Sequence, residues 1–139
     1  MKLVTFISAG AFIICSAFIM KKKETVQTTL LYDTKWSLKK IHTDDGVGEV
    51  NTSAFIKFNK EKKSAGGNGS CNSFGSNFTV SAHKISFTNI FSTKMYCEEV
   101  QKTEDAFFSL MEKVNNFEIK AKALILYQGK NAVMEFSAD

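Results

Sequence analysis

The chain has 139 residues, enough for one domain with its own core. Hydrophobic residues make up 44% of the sequence and charged residues 23%, a balance typical of a globular protein and not of a disordered one. The net charge is +4, but every basic residue is Lys and most are dispersed. The composition therefore argues against a nucleic-acid partner, which would favour the bidentate guanidinium of Arg.

Residues 1–23 are predicted to form an apolar helix that anchors the chain in a membrane or serves as a signal segment. Residues 3–20 carry no charge, and lysines flank both ends of this stretch. Its length lies between that of a long signal-peptide core and that of a short spanning helix. The bulky residues before residue 21 disfavour cleavage, and those before Cys15 are too large for a lipidation signal. We therefore favour a retained anchor over these two alternatives.

The orientation of this anchor is set by two opposing signals. The lysines at positions 21–23 would place the following domain in the cytoplasm by the positive-inside rule. A signal-like entry would export the domain instead, and the pair Cys71 and Cys97 favours export, because disulfides form in oxidising compartments. We predict an extracytoplasmic domain, with residues 24–30 as a polar spacer.

Residues 31–139 are predicted to be one domain made largely of strands. Apolar and polar residues alternate in several short stretches, as half-buried strands require. The predicted inward-facing or apolar positions are Trp36 and Leu38; Ala54, Ile56 and Phe58; Ile85 and Phe87; Phe117 and Ile119; residues 124–127; and residues 133–136. Residues 44–48 and 59–69, which are rich in Gly and charge, are predicted to be turns or loops, and residues 70–80 an irregular, bulged strand pair.

Residues 98–114 contain the one helix predicted within the domain. Apolar residues recur there at three- and four-residue steps and make a single stripe. The stripe consists of Val100, Phe107, Leu110, Met111 and Val114. Glu98 and Glu99 would fall in the first turn and Lys113 in the last, which suits the helix dipole. Strands on both sides of a helix predict an α+β, β-rich fold, with an antiparallel sheet curled around the helix.

Two segments that contain cysteine carry a family resemblance. Ser70-Cys71-Asn72 and Thr93-Lys94-Met95-Tyr96-Cys97 resemble the Gly-Cys-Asn and Thr-Arg-Met-Ala-Cys segments of the META domain, the family that includes HslJ-like proteins. The positions that match the family pattern include Trp36, Asn72, Gly75, Thr93, Met95 and Glu104. The sequence departs from the pattern at Ser70, which replaces Gly, and at Lys94, which replaces Arg.

The resemblance implies a fold, a location and an absence of known chemistry. The implied fold is a cracked, barrel-like antiparallel sheet packed on a single helix. Many family members are exported or lipid-anchored, and some are linked to heat shock or antibiotic tolerance. No enzyme chemistry is established for the family, so the resemblance implies neither catalytic residues nor a cofactor.

Cys71 and Cys97 either form a disulfide or remain two buried thiols. In an exported domain the disulfide would stabilise the fold by about 3.5 kcal/mol in the chain-entropy model. In a reducing compartment each thiol would pack as a small apolar side chain. We expect the disulfide if the domain is exported. Cys15 lies in the apolar segment and has no obvious partner.

The remaining chemical groups form no pattern that predicts a reaction. A zinc site built from Cys71, His83 and Cys97 lacks both a fourth ligand and the usual spacing. A nucleophile pair of Cys71 with His83 or His42 lacks supporting spacing as well. The glycine-rich residues 66–69 are not followed by the Lys-Ser/Thr of a phosphate-binding loop. We predict no metal, no cofactor and no catalysis.

These observations predict a non-catalytic, membrane-tethered domain on the outer side of a bacterial inner membrane. It would bind a protein or lipid partner and support the cell envelope under stress. Two alternatives stay open: a structural accessory module of an envelope assembly, and a small carrier that holds an acyl ligand in a cleft lined by Phe. The carrier competes with the simpler interpretation that the Phe side chains fill the core.

Overall fold

The computed structural model describes residues 28–139, which form a nine-stranded sheet and one helix, preceded by a helical turn over residues 28–31. The strands are β1 (Trp36–Thr43), β2 (Gly46–Glu49), β3 (Phe55–Asn59), β4 (Ser64–Asn68), β5 (Ser73–Ser81), β6 (Lys84–Ser92), β7 (Asn116–Lys120), β8 (Ala123–Gln128) and β9 (Asn131–Ala138). Helix α1 (Gln101–Met111) lies between β6 and β7. The apolar helix predicted for residues 1–23 falls outside the described residues, and no helix within residues 28–139 is long and apolar enough to cross a membrane.

All strand pairs are antiparallel, and the order along the sheet is β2-β1-β3-β4-β5-β6-β7-β8-β9. β1 also pairs with β9, the last strand of this order. The narrowest junction lies between β6 and β7, where Lys84 and Asn116 form the one pair in register. The predicted β-rich antiparallel sheet with a helix is therefore confirmed.

The strand faces predicted from alternation are buried as expected. Trp36 and Leu38 of β1 point into the core, and the same holds for the apolar residues of the other predicted strands. The members of this set are Ala54, Ile56, Phe58, Ile85, Phe87, Phe117, Ile119, Leu124, Leu126, Val133, Met134 and Phe136. A hairpin turn joins β8 and β9, and Gly129 adopts a positive φ there.

The glycine-rich segment predicted to be a loop is instead a strand in the sheet. β4 pairs along its whole length with β3 and β5. A Cβ atom added at Gly67 would overlap the carbonyl oxygen of Phe55 on β3, so the two strands pack closely there because Gly67 lacks a side chain. Residues 44–48 differ from the prediction in a similar way, since β2 begins at Gly46 and only two residues separate it from β1. Gly66 and Gly67 therefore indicated a loop where they permit close backbone packing.

Residues 70–80 were predicted to contain an irregular strand pair, and the structure has a single strand there. β5 carries one register irregularity against β6, between Gly75 and Asn77. The predicted bulge is therefore present. Residues 70–80 contain no second strand, and β5 pairs instead with β4 on one side and with β6 on the other.

Helix α1 is shorter than the predicted range of residues 98–114. Glu98 and Glu99 lie in the turn that precedes it, and Lys113 lies in the turn that follows it. Residues 98–100 form a turn in which the Val100 N–H donates to the Cys97 carbonyl at 3.1 Å, and the helix begins after Val100. The dipole argument built on Glu98, Glu99 and Lys113 is wrong for this structure.

The predicted apolar stripe of α1 faces the core, with one polar residue in its midst. Phe107, Met111 and Val114 are buried, and Leu110 is half-buried. Glu104 occupies the same face one turn before Phe107 and is also buried. A buried carboxylate on an apolar stripe needs hydrogen-bond donors from elsewhere in the fold.

Aromatic rings fill two parts of the core along β5. At the end of β5 away from α1, Phe78 contacts Phe58 with ring centroids 5.2 Å apart, and Tyr32 and Phe87 complete the group. We call Tyr32, Phe58, Phe78 and Phe87 the aromatic cluster. Near α1, Phe74 packs edge-on against the Phe107 and Phe108 rings of the helix.

Candidate functional site

Four of the residues matched to the family pattern converge at the start of α1. Glu104 is only 2% exposed, and its Oε2 accepts hydrogen bonds from the backbone N–H groups of Cys71 at 2.9 Å and Asn72 at 2.6 Å. The side-chain amide of Asn72 donates to the other carboxylate oxygen, Oε1. The helix is thereby joined through one carboxylate to the segment that leads into β5.

Asn72 joins the same carboxylate to the segment before the helix. Its Nδ2 donates to the Met95 carbonyl at 2.9 Å, while its Oδ1 accepts from the Met95 N–H at 2.7 Å and from the Thr93 hydroxyl at 2.8 Å. The amide is 3% exposed, and both of its ends are used. We call Cys71, Asn72, Thr93, Met95 and Glu104 the Asn72–Glu104 network.

The charge on Glu104 persists although the side chain is buried. Burial, the largest single influence, raises the pKa of Glu104, but the hydrogen bonds from Asn72 and Cys71 and the charge of Lys94 outweigh it and hold the pKa below its usual value. Lys94 stands where the family pattern has Arg, and its ammonium still supplies a positive charge to this carboxylate. The arrangement suits a buried structural anion whose two oxygens both accept hydrogen bonds, and it suits a general base poorly.

A disulfide between Cys71 and Cys97 closes the segment that the network holds. Their Cα atoms lie 5.9 Å apart, within the usual range for such a bond. The predicted pairing of these two cysteines is present in the structure. It also means that neither sulfur is a free nucleophile or a metal ligand here.

The backbone before Asn72 is shaped to approach the helix closely. A Cβ added at Gly69 would lie 2.7 Å from the ring of Phe108 and 3.1 Å from Oε2 of Glu104. Ser70 has a φ of +130°, in the region that favours glycine, and this is the position where the family pattern has Gly. The family departure at Ser70 therefore coincides with a strained backbone.

The network supports a loop that exposes large apolar side chains. Phe91, Met95 and Tyr96 are 70%, 60% and 76% exposed, although Met95 is bound through its backbone to Asn72. Large apolar side chains clustered on a fixed loop are typical of an interaction surface. Phe91 belongs to β6, whereas Met95 and Tyr96 lie in the loop between β6 and α1. We call Met95 and Tyr96 the exposed apolar loop.

The other predicted or considered site residues lie elsewhere in the domain. Trp36 is buried and donates its indole N–H to the Leu31 carbonyl at 3.1 Å, so its role is structural. His42 is 2.8 Å from the carboxylate of Glu135, and His83 is exposed in the turn after β5. Among residues 28–139 no group of three or more His, Cys, Asp or Glu is placed to hold a metal ion.

Sequence patterns alone did not reveal that Glu104 binds Asn72. The available signal was the position of Glu104 three residues before Phe107 on the apolar stripe, where a carboxylate needs a partner. The exposed apolar loop had no such signal, because exposure of Tyr96 depends on the path that the disulfide and Asn72 impose on the chain.

Comparisons with known proteins agree with this geometry. The family model described as META domain matches residues 28–139. An NMR structure of a protein from Burkholderia xenovorans is similar, with a TM-score of 0.64, 17% identity, and coverage of 100% of this chain and 99% of that chain. A second NMR structure has a TM-score of 0.60 at 17% identity and covers 78% of this chain and 92% of that chain. No curated protein sequence matches the chain. Since the family model spans most of the sequence, the chain belongs to the META domain family.

Proposed function

We propose that this protein is a non-catalytic binding domain, tethered by its N-terminal segment to the outer side of a bacterial inner membrane, where it contacts a protein partner of the cell envelope. The observation that carries the proposal is the exposed apolar loop. Tyr and Met are enriched in protein interfaces, and a surface that is rigid before binding loses less entropy on association. The disulfide and Asn72 supply this rigidity.

The disulfide supports an extracytoplasmic location. Disulfides persist in oxidising compartments and are rare in the cytosol. The uncharged residues 3–20 support membrane attachment through the sequence alone. The role in envelope stress, finally, rests on the resemblance to HslJ-like proteins.

The absence of catalysis is supported by how the reactive groups are used. The carboxylate of Glu104 accepts hydrogen bonds from two backbone N–H groups and one amide. The sulfur of Cys71 is bonded to that of Cys97. The Glu104 carboxylate is buried with both oxygens accepting hydrogen bonds, and the Cys71 sulfur is held in the disulfide, so neither group is directed at a substrate as a general base or a nucleophile.

A small acyl carrier is the weaker alternative. Its cleft would have to lie between sheet and helix, but there Phe74 packs against Phe107 and Phe108, with ring centroids 5.4 and 5.6 Å apart. The rings that would line a cleft instead contact one another. A structural accessory module would use the same exposed loop and is the nearer alternative.

We also infer that the sheet curls into a cracked barrel. The pairing of β1 with β9 supports closure on one side. The single residue pair between β6 and β7 supports an opening on the other. Hydrogen exchange would test this inference, since amides of β6 beyond Ile85 on the edge towards β7 should exchange faster than those paired with β5.

A photo-crosslinking residue placed at position 96 in the native cell tests the partner surface. The matched control carries the same residue at Lys130, which is exposed in the turn between β8 and β9. We expect a discrete protein adduct from position 96 and none from position 130. Adducts with lipid alone would assign the loop to the membrane surface, and equal labelling from both positions would refute an interface at the loop.

Thiol alkylation of the membrane fraction tests the location. We expect Cys71 and Cys97 to react with a maleimide only after reduction, and the intact mass to include residues 1–23. Two thiols that react at lysis without reductant would contradict export. A mass that lacks the N-terminal residues would contradict a retained anchor and leave the binding domain unaffected.

A further inference from the structure

The register of the strands creates a trough on the outer face of β3, β4, β5 and β6. Lys57 pairs with Gly66, Gly66 with Gly75, and Gly75 with Phe91, so these four residues form one row across four strands. The two middle positions have no side chains. A trough therefore lies between Lys57 and Phe91, whose backbones are about 14 Å apart at the usual strand spacing.

The trough has the size and the composition of a ligand site. Its volume is about 770 Å³, within the range of small-molecule clefts. Neutral amides and hydroxyls line it, including Asn59, Ser64, Asn77 and Thr34. Such groups both donate and accept hydrogen bonds, and Asn77 is exposed.

Phe91 forms an apolar platform at one side of the trough. A Cβ added at Gly75 would lie 2.5 Å from Cζ of Phe91, so the ring rests on the glycine. With 70% of the side chain exposed, the rest of the ring faces solvent. This arrangement places an exposed aromatic ring next to hydrogen-bonding groups.

Lys57 contributes a positive charge at the opposite side. Lys35 nearby is bound to Asp139 at 2.6 Å, whereas no ion pair involves Lys57 within the described part of the chain. Asp33 also lines the trough, so the site is mixed in charge and is not a general anion site.

These features select among ligand classes. An acyl chain would leave the exposed amide of Asn77 without a partner, at a cost in free energy. A phosphate-rich ligand would find no Arg for bidentate binding. A sugar ring has a face of C–H groups that stacks on an aromatic ring, and hydroxyls that both donate and accept hydrogen bonds.

We propose that this trough binds an oligosaccharide that contains acidic sugars, with one sugar ring stacked on Phe91 and a carboxylate directed at Lys57. The proposal does not depend on the anchor or on the protein partner of the exposed apolar loop. Tyr96 and Met95 serve that interface, and neither lines the trough.

Isothermal titration of the full chain in detergent tests the proposal, with a hexamer of galacturonic acid as probe and maltohexaose as its neutral counterpart. We expect saturable binding of the acidic hexamer and weaker binding of the neutral one. Phe91→Ala should lower the affinity for the acidic hexamer about tenfold, while Phe91→Tyr retains it. Lys57→Gln should lower that affinity about fivefold and leave the neutral hexamer unaffected.

Two control variants separate a built site from general attraction. Tyr96→Ala removes an equally exposed aromatic ring outside the trough, and Lys130→Gln removes an exposed charge outside it. Both should leave affinity unchanged. The proposal is overturned by an absence of saturable binding, by equal affinity for the two hexamers, by unchanged binding in Phe91→Ala, or by equal losses in the control variants.

Discussion

β5 runs through two regions of the domain that are stabilised in different ways. Around Phe78, the aromatic cluster is stabilised by apolar contact between rings. Just before the other end of the strand, the Asn72–Glu104 network uses a buried charge, a fully bonded amide and an adjacent disulfide. Apolar packing depends on volume, whereas the network depends on protonation and oxidation state as well.

The difference explains why the exposed apolar loop lies beside the network and not beside the aromatic cluster. A loop that exposes Met95 and Tyr96 gains little from burial, so its conformation has to be fixed by directed bonds. Asn72 fixes it through the Met95 backbone, which leaves the side chain free for a partner. The polar region therefore positions a surface, and the apolar region mainly supports the fold.

The largest expected effect comes from Phe78→Ala in the aromatic cluster. Phe78 is 4% exposed and contacts Phe58 and Tyr32, so the variant should lose about 4 kcal/mol in free energy of unfolding. Urea denaturation would measure this loss, which should be the same at pH 7 and pH 5 and with or without reductant. The neighbouring exposed Thr79→Ala should change stability by less than about 0.5 kcal/mol. A strongly pH-dependent loss in Phe78→Ala would remove the contrast between the two regions.

Removal of the disulfide should have the next largest effect. The double variant Cys71→Ala/Cys97→Ala should lose about 3.5 kcal/mol, because its unfolded chain is no longer cross-linked. Reductant should destabilise the wild-type chain by a similar amount and leave the double variant unchanged, as urea denaturation would show. Equal sensitivity of both chains to reductant would mean that another cysteine is involved.

Glu104→Gln should cost about 3 kcal/mol at pH 7, because the carboxamide cannot accept all the hydrogen bonds that the carboxylate accepts. The pKa of Glu104 is lower in the folded domain than in the unfolded chain. Its ionised form therefore contributes stability that is present above the unfolded pKa and is lost as pH falls through the folded pKa. The difference between wild type and Glu104→Gln should shrink in acid, which denaturation at pH 7 and at pH 3 would measure. Glu112→Gln on the exposed side should show no such trend.

The two regions also differ in how far the sequence predicts them. Alternation predicts the buried faces of Phe58 and Phe87, because a strand with one face in the core imposes a period of two. The glycine content of residues 64–68 wrongly predicted a loop, because glycine in a strand cannot be told from glycine in a loop until the neighbouring backbone is known. The contact of Asn72 with Glu104 spans 32 residues and has no periodic signal, so only the family resemblance drew attention to these residues.

The smallest predicted effect concerns the backbone of the network. Ser70 has a φ of +130°, where a Cβ atom is strained, and its hydroxyl donates to Thr52 at 3.0 Å. Ser70→Gly and Ser70→Ala both lose this hydroxyl and differ only in the Cβ. At an ordinary position alanine would be the more stable residue, because glycine gains entropy in the unfolded chain. We expect the reverse here, with Ser70→Gly more stable than Ser70→Ala by about 1 kcal/mol in urea denaturation.

The same exchange at Gly48 supplies the matched control for this reversal. An added Cβ there would lie 3.8 Å from the Ile41 carbonyl, an ordinary contact. Gly48→Ala should therefore be neutral or slightly stabilising. If Ser70→Ala is instead as stable as Ser70→Gly, the positive φ at residue 70 does not strain the backbone. If the reversal is found, glycine at this position of the family is explained by the turn that brings Cys71 and Asn72 to the carboxylate of Glu104.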